Sequence, residues 1–125
     1  MEIKQVSTQN APAAIGPYSQ AIIVGEMVFT SGQIPIHPAS GNVEAVTIEE
    51  QTEQVMKNLG AVLSAAGSGF EKAVKTTCFL ADIADFAAFN AVYANYFTTK
   101  PARSCVAVKD LPKGVKVEVE VIATL

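Results

Sequence analysis

The chain is expected to fold as an α/β (α+β) sandwich, with one mixed β-sheet carrying two helices on one of its faces. Three observations in the sequence point there. Short β-rich runs fill both ends of the chain, and two stretches of helical periodicity stand between them, separated by a third β-rich run at residues 73–80. The order strands, helix, strand, helix, strands then favours one sheet with both helices packed on the same side.

The opening strands are Ile3 to Ser7, Gln20 to Val24 and Met27 to Ser31, the last two joined by Gly25-Glu26 as a hairpin turn. The first helix starts at a capping box, Thr47-Ile48-Glu49-Glu50, in which Thr47 caps and Glu50 reaches back. Ile48, Val55, Met56, Leu59, Val62, Leu63 and Ala66 follow at helical spacing, and Gly67 ends the run. After the strand Ala73 to Leu80, a second helix begins near Asp82 or Asp85. Phe86, Phe89, Val92, Tyr93, Tyr96 and Phe97 lie on one broad face of it, and Lys100-Pro101 ends it. Arg103 to Val108 and Val115 to Ala123 complete the sheet around the turn Asp110-Leu111-Pro112-Lys113-Gly114. In the last strand the four valines at 115, 117, 119 and 121 point towards the helices, and Lys116, Glu118 and Glu120 point away. That second face must therefore be wet or buried against another subunit.

A chain of 125 residues is one domain, residues 1–125, without linker, repeat or low-complexity segment. Half of it is apolar and 17% is charged, which excludes disorder. Net charge is −3 with the lysines scattered, so there is no basic stripe for nucleic acid. Cys78 and Cys105 lie far apart in apolar stretches and read as reduced thiols. The start of the chain has no signal-peptide core, and no apolar run is long enough to span a bilayer, so no membrane role is expected and a cytoplasmic location is.

Arg103 is the only arginine; the other eight basic residues are lysines. Arginine offers a planar fork that pairs a carboxylate through two parallel hydrogen bonds and does not deprotonate. From position alone, recognition of a carboxylate and a structural ion pair stand as alternatives. His37, the only histidine, lies in the loop Pro35-Ile36-His37-Pro38 and is expected to be exposed, and a single histidine excludes two-histidine metal sites and acid/base pairs. No C-x-x-C, H-E-x-x-H or P-loop occurs, so neither metal nor nucleotide cofactor is expected. Gly67-Ser68-Gly69 follows a helix rather than opening one, which suits a helix stop better than a phosphate cradle. What remains is Arg103 on one strand and Glu118 or Glu120 on the next, a set able to hold a carboxylate and manage a proton or a water. The alternative is that these glutamates pair with Lys116 and Arg103 across the ladder.

Three separated segments resemble the Rid family (reactive intermediate deaminases, also called YjgF or L-PSP proteins), closest to its bacterial RidA branch. They are Asn10-Ala11-Pro12-Ala13-Ala14-Ile15-Gly16-Pro17-Tyr18-Ser19-Gln20-Ala21, then Thr30-Ser31-Gly32-Gln33-Ile34-Pro35, then Pro101-Ala102-Arg103-Ser104-Cys105-Val106. Leu111-Pro112-Lys113-Gly114 and Val117-Glu118-Val119-Glu120 complete the third. The match runs in order along essentially the whole chain. The resemblance implies a chorismate-mutase-like fold, a homotrimer with sites between subunits, and no cofactor. It also implies hydrolysis of enamines and imines such as 2-aminoacrylate and 2-aminocrotonate, released by pyridoxal-phosphate dehydratases, to 2-keto acids and ammonia. Arg103 falls on the family's carboxylate-binding position and Glu118 on its water-handling glutamate. Tyr18, Ser31, Gly32, Asn90 and Cys105 fall on positions lining the site, Cys105 chiefly through its backbone. The stretch between Phe97 and Pro101 is shorter than in many relatives, which bears on the rim of the cleft and on substrate size.

Other functions are compatible with parts of this pattern. A non-catalytic regulatory module could hold a 2-keto acid or amino acid in the same cleft, because an arginine that binds substrate also binds product. A ribonuclease or translation inhibitor is disfavoured by the acidic charge and the missing histidine pair. Chorismate mutase would want two cations for its dicarboxylate, and Arg103 is the one evident cation. A chaperone-like holdase would leave no readable mark.

Overall fold

The computed structural model describes residues 1–125. The chain forms six strands, β1 (Ile3–Val6), β2 (Ala21–Val24), β3 (Met27–Thr30), β4 (Ala73–Leu80), β5 (Ala102–Ala107) and β6 (Val117–Thr124), and two helices, α1 (Ile48–Ala65) and α2 (Phe86–Tyr96). The strands make one sheet in the order β1-β2-β3-β6-β4-β5. Only β4 and β5 run parallel, which makes the sheet mixed as the sequence suggested.

That order corrects one expectation. Arg103 and Glu118 belong to strands consecutive in sequence, but β4 lies between them in space. The reason is topological. β4 and β5 run parallel and are joined through α2, a crossover that places β5 at β4's outer edge. The last strand then pairs antiparallel with β4's other edge and with β3. A ladder ion pair between Arg103 and either glutamate is therefore excluded.

The ends of α1 form as their sequence dictates. Glu50 N–H donates to Thr47 Oγ1 at 3.1 Å and Thr47 N–H to Glu50 Oε1 at 3.0 Å, the reciprocal bonds of a capping box. At the other end Gly67, at φ 83°, lets Ser68 N–H reach Leu63 O at 2.8 Å and Gly67 N–H reach Ser64 O at 3.0 Å. Between these stops Val55, Met56, Leu59, Val62 and Leu63 are fully buried against the sheet. Each such side chain contributes about 1.5–3 kcal/mol of transfer free energy.

The second helix is shorter than expected. Ile83–Asp85 is a separate 3₁₀ turn, and α2 ends at Tyr96, four residues before Lys100-Pro101. Phe89, Tyr93 and Phe97 join the core, while Phe86 stays exposed at the helix start. The last strand begins at Val117 rather than Val115, because a 3₁₀ turn at Pro112–Gly114 delays pairing. Val117, Val119 and Val121 alternate into the core as expected. The face away from the helices carries the exposed Phe29 and Val106 beside the half-buried Phe79 and Ile122. No helix is long and apolar enough to cross a membrane.

Buried amides tie the loops to this frame. Asn58, fully buried on α1, donates from its Nδ2 to Ile34 O and Ile36 O, both at 3.0 Å. Gln20 donates to Thr8 O at 3.0 Å and Pro12 O at 2.8 Å, and its Oε1 accepts from Thr8 N–H at 2.7 Å. No buried side-chain polar atom is left unpaired. These bonds fix the segments that carry Tyr18, Ser31 and Gly32.

Candidate functional site

The residues expected to form a site gather in two separate places, one on each face of the sheet. Arg103 sits opposite Thr76 on β4, and Cys105 opposite Cys78. Thr76 is fully buried on the helix side, where its Oγ1 and the Tyr93 hydroxyl are 2.7 Å apart, so Arg103 shares that side with α2. Arg103 Nη1 donates to Asn90 Oδ1 at 2.7 Å. The guanidinium carbon lies 4.8 Å from the centroid of the Tyr93 ring and 5.5 Å from that of Phe86, within cation–π range of both.

No carboxylate holds this arginine. The one ion pair in the protein joins Lys4 and Glu2 at the surface. A half-buried guanidinium oriented by one amide and two aromatic rings keeps most of its five donors available to a ligand. Within the chain, no ion pair accounts for Arg103. Thr76, Phe86 and Tyr93 were not singled out from the sequence as part of this setting. A signal for two of them existed. Phe86, Asn90 and Tyr93 stand at i, i+4 and i+7, so a polar side chain interrupts an aromatic stripe on one helix face.

Cys105 lies beside Arg103 on the same strand face, half-buried. Burial raises its thiol pKa, and burial pushes that of Cys78 up to about 12. Thiols held protonated are poor nucleophiles. His37 is half-buried rather than exposed, because it is built into a turn: its Nδ1 accepts from Ala39 N–H at 3.2 Å.

The second place is on the opposite face. Glu118 pairs with Phe79 in the β4–β6 ladder, out of phase with the buried valines, and so points away from the helices. It lines a cleft of about 530 Å³ together with Tyr18, Ser31, Gly32, Lys113 and Glu120. The walls are held by specific bonds. Ser31 Oγ donates to Ser19 O at 2.5 Å and Ser31 N–H to Gln20 O at 2.9 Å. Gln33 and Val119 exchange backbone bonds of 2.9 and 3.1 Å, pressing the 31–33 segment against β6.

Gly32 is required by that close approach. A Cβ on it would stand 2.0 Å from Glu118 Oε2 and 2.8 Å from its Cδ. Burial raises the Glu118 pKa, and the neighbouring charge of Glu120 raises it further. The result is a carboxyl group better suited than an ordinary one to both giving and taking a proton near neutral pH.

The structure thus brings Arg103, Asn90 and Cys105 together on one face, and Tyr18, Ser31, Gly32 and Glu118 on the other. It does not bring the two sets together within one chain.

Comparison with known proteins places the chain among relatives. Residues 8–125 match the family described as Endoribonuclease L-PSP. The chain is 50% identical over 124 residues to the 2-iminobutanoate/2-iminopropanoate deaminase of Escherichia coli K12, covering 96% of each. It is 52% identical over 122 residues to a Lactococcus lactis protein named as a candidate regulator, AldR, covering 97% of each. The crystal structure of E. coli TdcF with bound serine superposes with a TM-score of 0.93 at 44% identity, over 98% of both chains. With a family match over nearly the whole chain and relatives at half identity, the chain belongs to the Endoribonuclease L-PSP family, the Rid proteins that its sequence resembles.

Proposed function

We propose that the protein hydrolyses reactive enamines and imines of 2-amino acids, such as 2-aminoacrylate and 2-aminocrotonate, to 2-keto acids and ammonia. The observation that carries this reading is the pairing of an acid-free, aromatic-bracketed Arg103 with a Glu118 of raised pKa on the opposite sheet face. Within one chain these two groups cannot meet on a small substrate. Across the boundary between two copies, the helix-side cleft of one can face the Gly32 cleft of the next. The uncovered apolar face carrying Phe29 and Val106 supports such an assembly, and the reading takes it to be a homotrimer.

In this reaction Arg103 binds the substrate carboxylate through its fork and fixes the reacting carbon. The enamine takes a proton from solvent at carbon, which gives the protonated imine. The Glu118 carboxylate then takes a proton from a water as that water adds to the imine carbon. Glu118 returns that proton to the nitrogen, the C–N bond breaks as ammonia leaves, and the hydroxyl proton passes to solvent to leave the 2-keto acid. Imines of this class already react with water, so positioning supplies much of the acceleration. The reaction needs neither metal nor organic cofactor, and its place is the cytoplasm, where pyridoxal-phosphate dehydratases generate the substrates without binding this protein stably.

A regulatory module is the second reading, favoured by the regulator name of the Lactococcus relative and the serine bound in the TdcF crystal structure. Ribonuclease action, which the family's name suggests, is disfavoured by a net charge of −3. The deciding experiment couples a threonine dehydratase to this protein and follows ammonia and 2-oxobutanoate release. Acceleration over the dehydratase alone supports the enzyme. Tight 2-keto acid binding without acceleration supports the regulator.

A further inference from the structure

Arg103 is not the only cation of its cleft. A cavity of about 310 Å³ beside it is lined by Asn90, Tyr93, Phe97, Thr98, Lys100 and Arg103, and no acidic residue contributes to its wall. Lys100, like Arg103, has no ion-pair partner.

The backbone places Lys100 there under constraint. Its φ is 57°, a left-handed conformation shared, among residues other than glycine, only with Lys113. Such positions ordinarily take glycine or asparagine, and they concentrate where a backbone is held for a purpose. Lys100 N–H donates to Phe97 O at 3.2 Å, and Phe97 is buried in the core. On the other side Pro101 leads directly into β5. Only Thr98, Thr99 and Lys100 span the gap between Phe97 and Pro101, so the lysine cannot move far from the arginine. A small monocarboxylate needs one cation, and this chain's side of the cleft supplies two with no acid of its own beside either.

We propose that Lys100 is a specificity-determining residue that binds a second anionic group. The site would then favour 2-imino acids whose side chain ends in a carboxylate over their monocarboxylate counterparts. The proposal rests on the reading of Arg103 as the carboxylate-binding residue. Arg103 takes the carboxylate next to the reacting carbon, as every substrate of the class requires. Lys100, on a flexible stem at the rim, takes the distal one as a point charge without a demand for planar geometry.

The test uses product-like probes with the intact protein. Binding of 2-oxoglutarate and of 2-oxohexanoate, similar in length and different in terminal charge, is measured by calorimetry for wild type, Lys100→Met and Lys100→Arg. The expected result is that 2-oxoglutarate binds wild type roughly tenfold more tightly, the worth of one charge-assisted contact. That ratio should fall towards one in Lys100→Met, persist in Lys100→Arg and shrink with added salt. Near-equal binding by wild type, or a ratio unchanged in Lys100→Met, would overturn the proposal while leaving the deaminase reading in place. A lower melting temperature in Lys100→Met with an intact ratio would do the same, since it would mark the lysine as a charge stabilising the end of α2. Failure of wild type to bind either acid would overturn this proposal together with the assigned role of Arg103. Absence of turnover on 2-aminocrotonate, with the binding ratio present, would remove only the deaminase reading.

Discussion

Arg103 and Glu118 project from opposite faces of the same sheet, on strands separated by β4. Each has its own supporting shell. Asn90, Tyr93 and Phe86 orient the guanidinium, and Gly32 clears the space the carboxylate occupies. A site that uses both must take them from different copies of the chain.

Replacing Arg103 with lysine should cost far more than a change between two basic residues suggests. Lysine lacks the second parallel donor and the planar surface that rests on Tyr93 and Phe86. We expect kcat/KM on 2-aminocrotonate to fall by at least about tenfold, in line with a lost charge-assisted hydrogen bond, and Arg103→Ala to abolish turnover. Circular dichroism and light scattering should report an unchanged fold and assembly. Wild-type turnover in Arg103→Lys would remove the bidentate argument.

Glu118→Gln should lower kcat by roughly 10²–10⁴-fold, as expected for a lost acid/base group, and it should raise stability at neutral pH. The sign follows from the raised pKa. The folded protein holds a proton on Glu118 that the unfolded chain releases, so the contribution is present at low pH and lost as pH rises through the folded value. Above that window the wild type bears the penalty of a half-buried charge, and glutamine does not. Melting temperatures should therefore favour Glu118→Gln at pH 7 and converge below about pH 4, where a carboxyl is protonated in either state. Glu120→Gln should keep most of the turnover. By removing the neighbouring charge, it should also move the acidic limb of the pH–rate profile to lower pH.

Gly32→Ala should cripple the enzyme without unfolding it. The added methyl group meets the Glu118 side chain rather than backbone, so that side chain rotates away and the fold remains. Turnover should drop towards that of Glu118→Gln, and a crystal structure of the variant should show Glu118 displaced. An active Gly32→Ala with Glu118 in place would contradict the geometry given for this cleft.

How far the sequence carried this picture differs from element to element. The capping box at Thr47, the glycine stop at Gly67 and the valine alternation of the last strand are local devices, and each formed as read. The early end of α2 was missed because the aromatic run from Phe86 to Phe97 looks helical throughout, while the chain turns at Phe97 and enters a left-handed residue at Lys100. The neighbours of Arg103 were partly legible. A lone arginine signals a special contact, yet strand order is a non-local property, and chain order alone placed Glu118 on the adjacent strand. Phe86 and Tyr93 were legible only as part of a broad aromatic helix face, because such a stripe looks the same whether it packs on the sheet or brackets a guanidinium.

Subunit mixing shows whether each site takes Arg103 from one copy and Glu118 from another. Arg103→Ala and Glu118→Gln, each nearly inactive alone, are unfolded together, refolded at equal amounts and assayed for ammonia release from 2-aminocrotonate. Mass spectrometry under native conditions verifies that mixed assemblies form. With random mixing, a shared site receives an intact Arg103 from one neighbour half the time and an intact Glu118 from the other half the time, so about a quarter of wild-type activity should return. Mixed assemblies that form and remain as inactive as the separate variants would rule out a shared site, since the two residues would then have to act from one chain or not together at all.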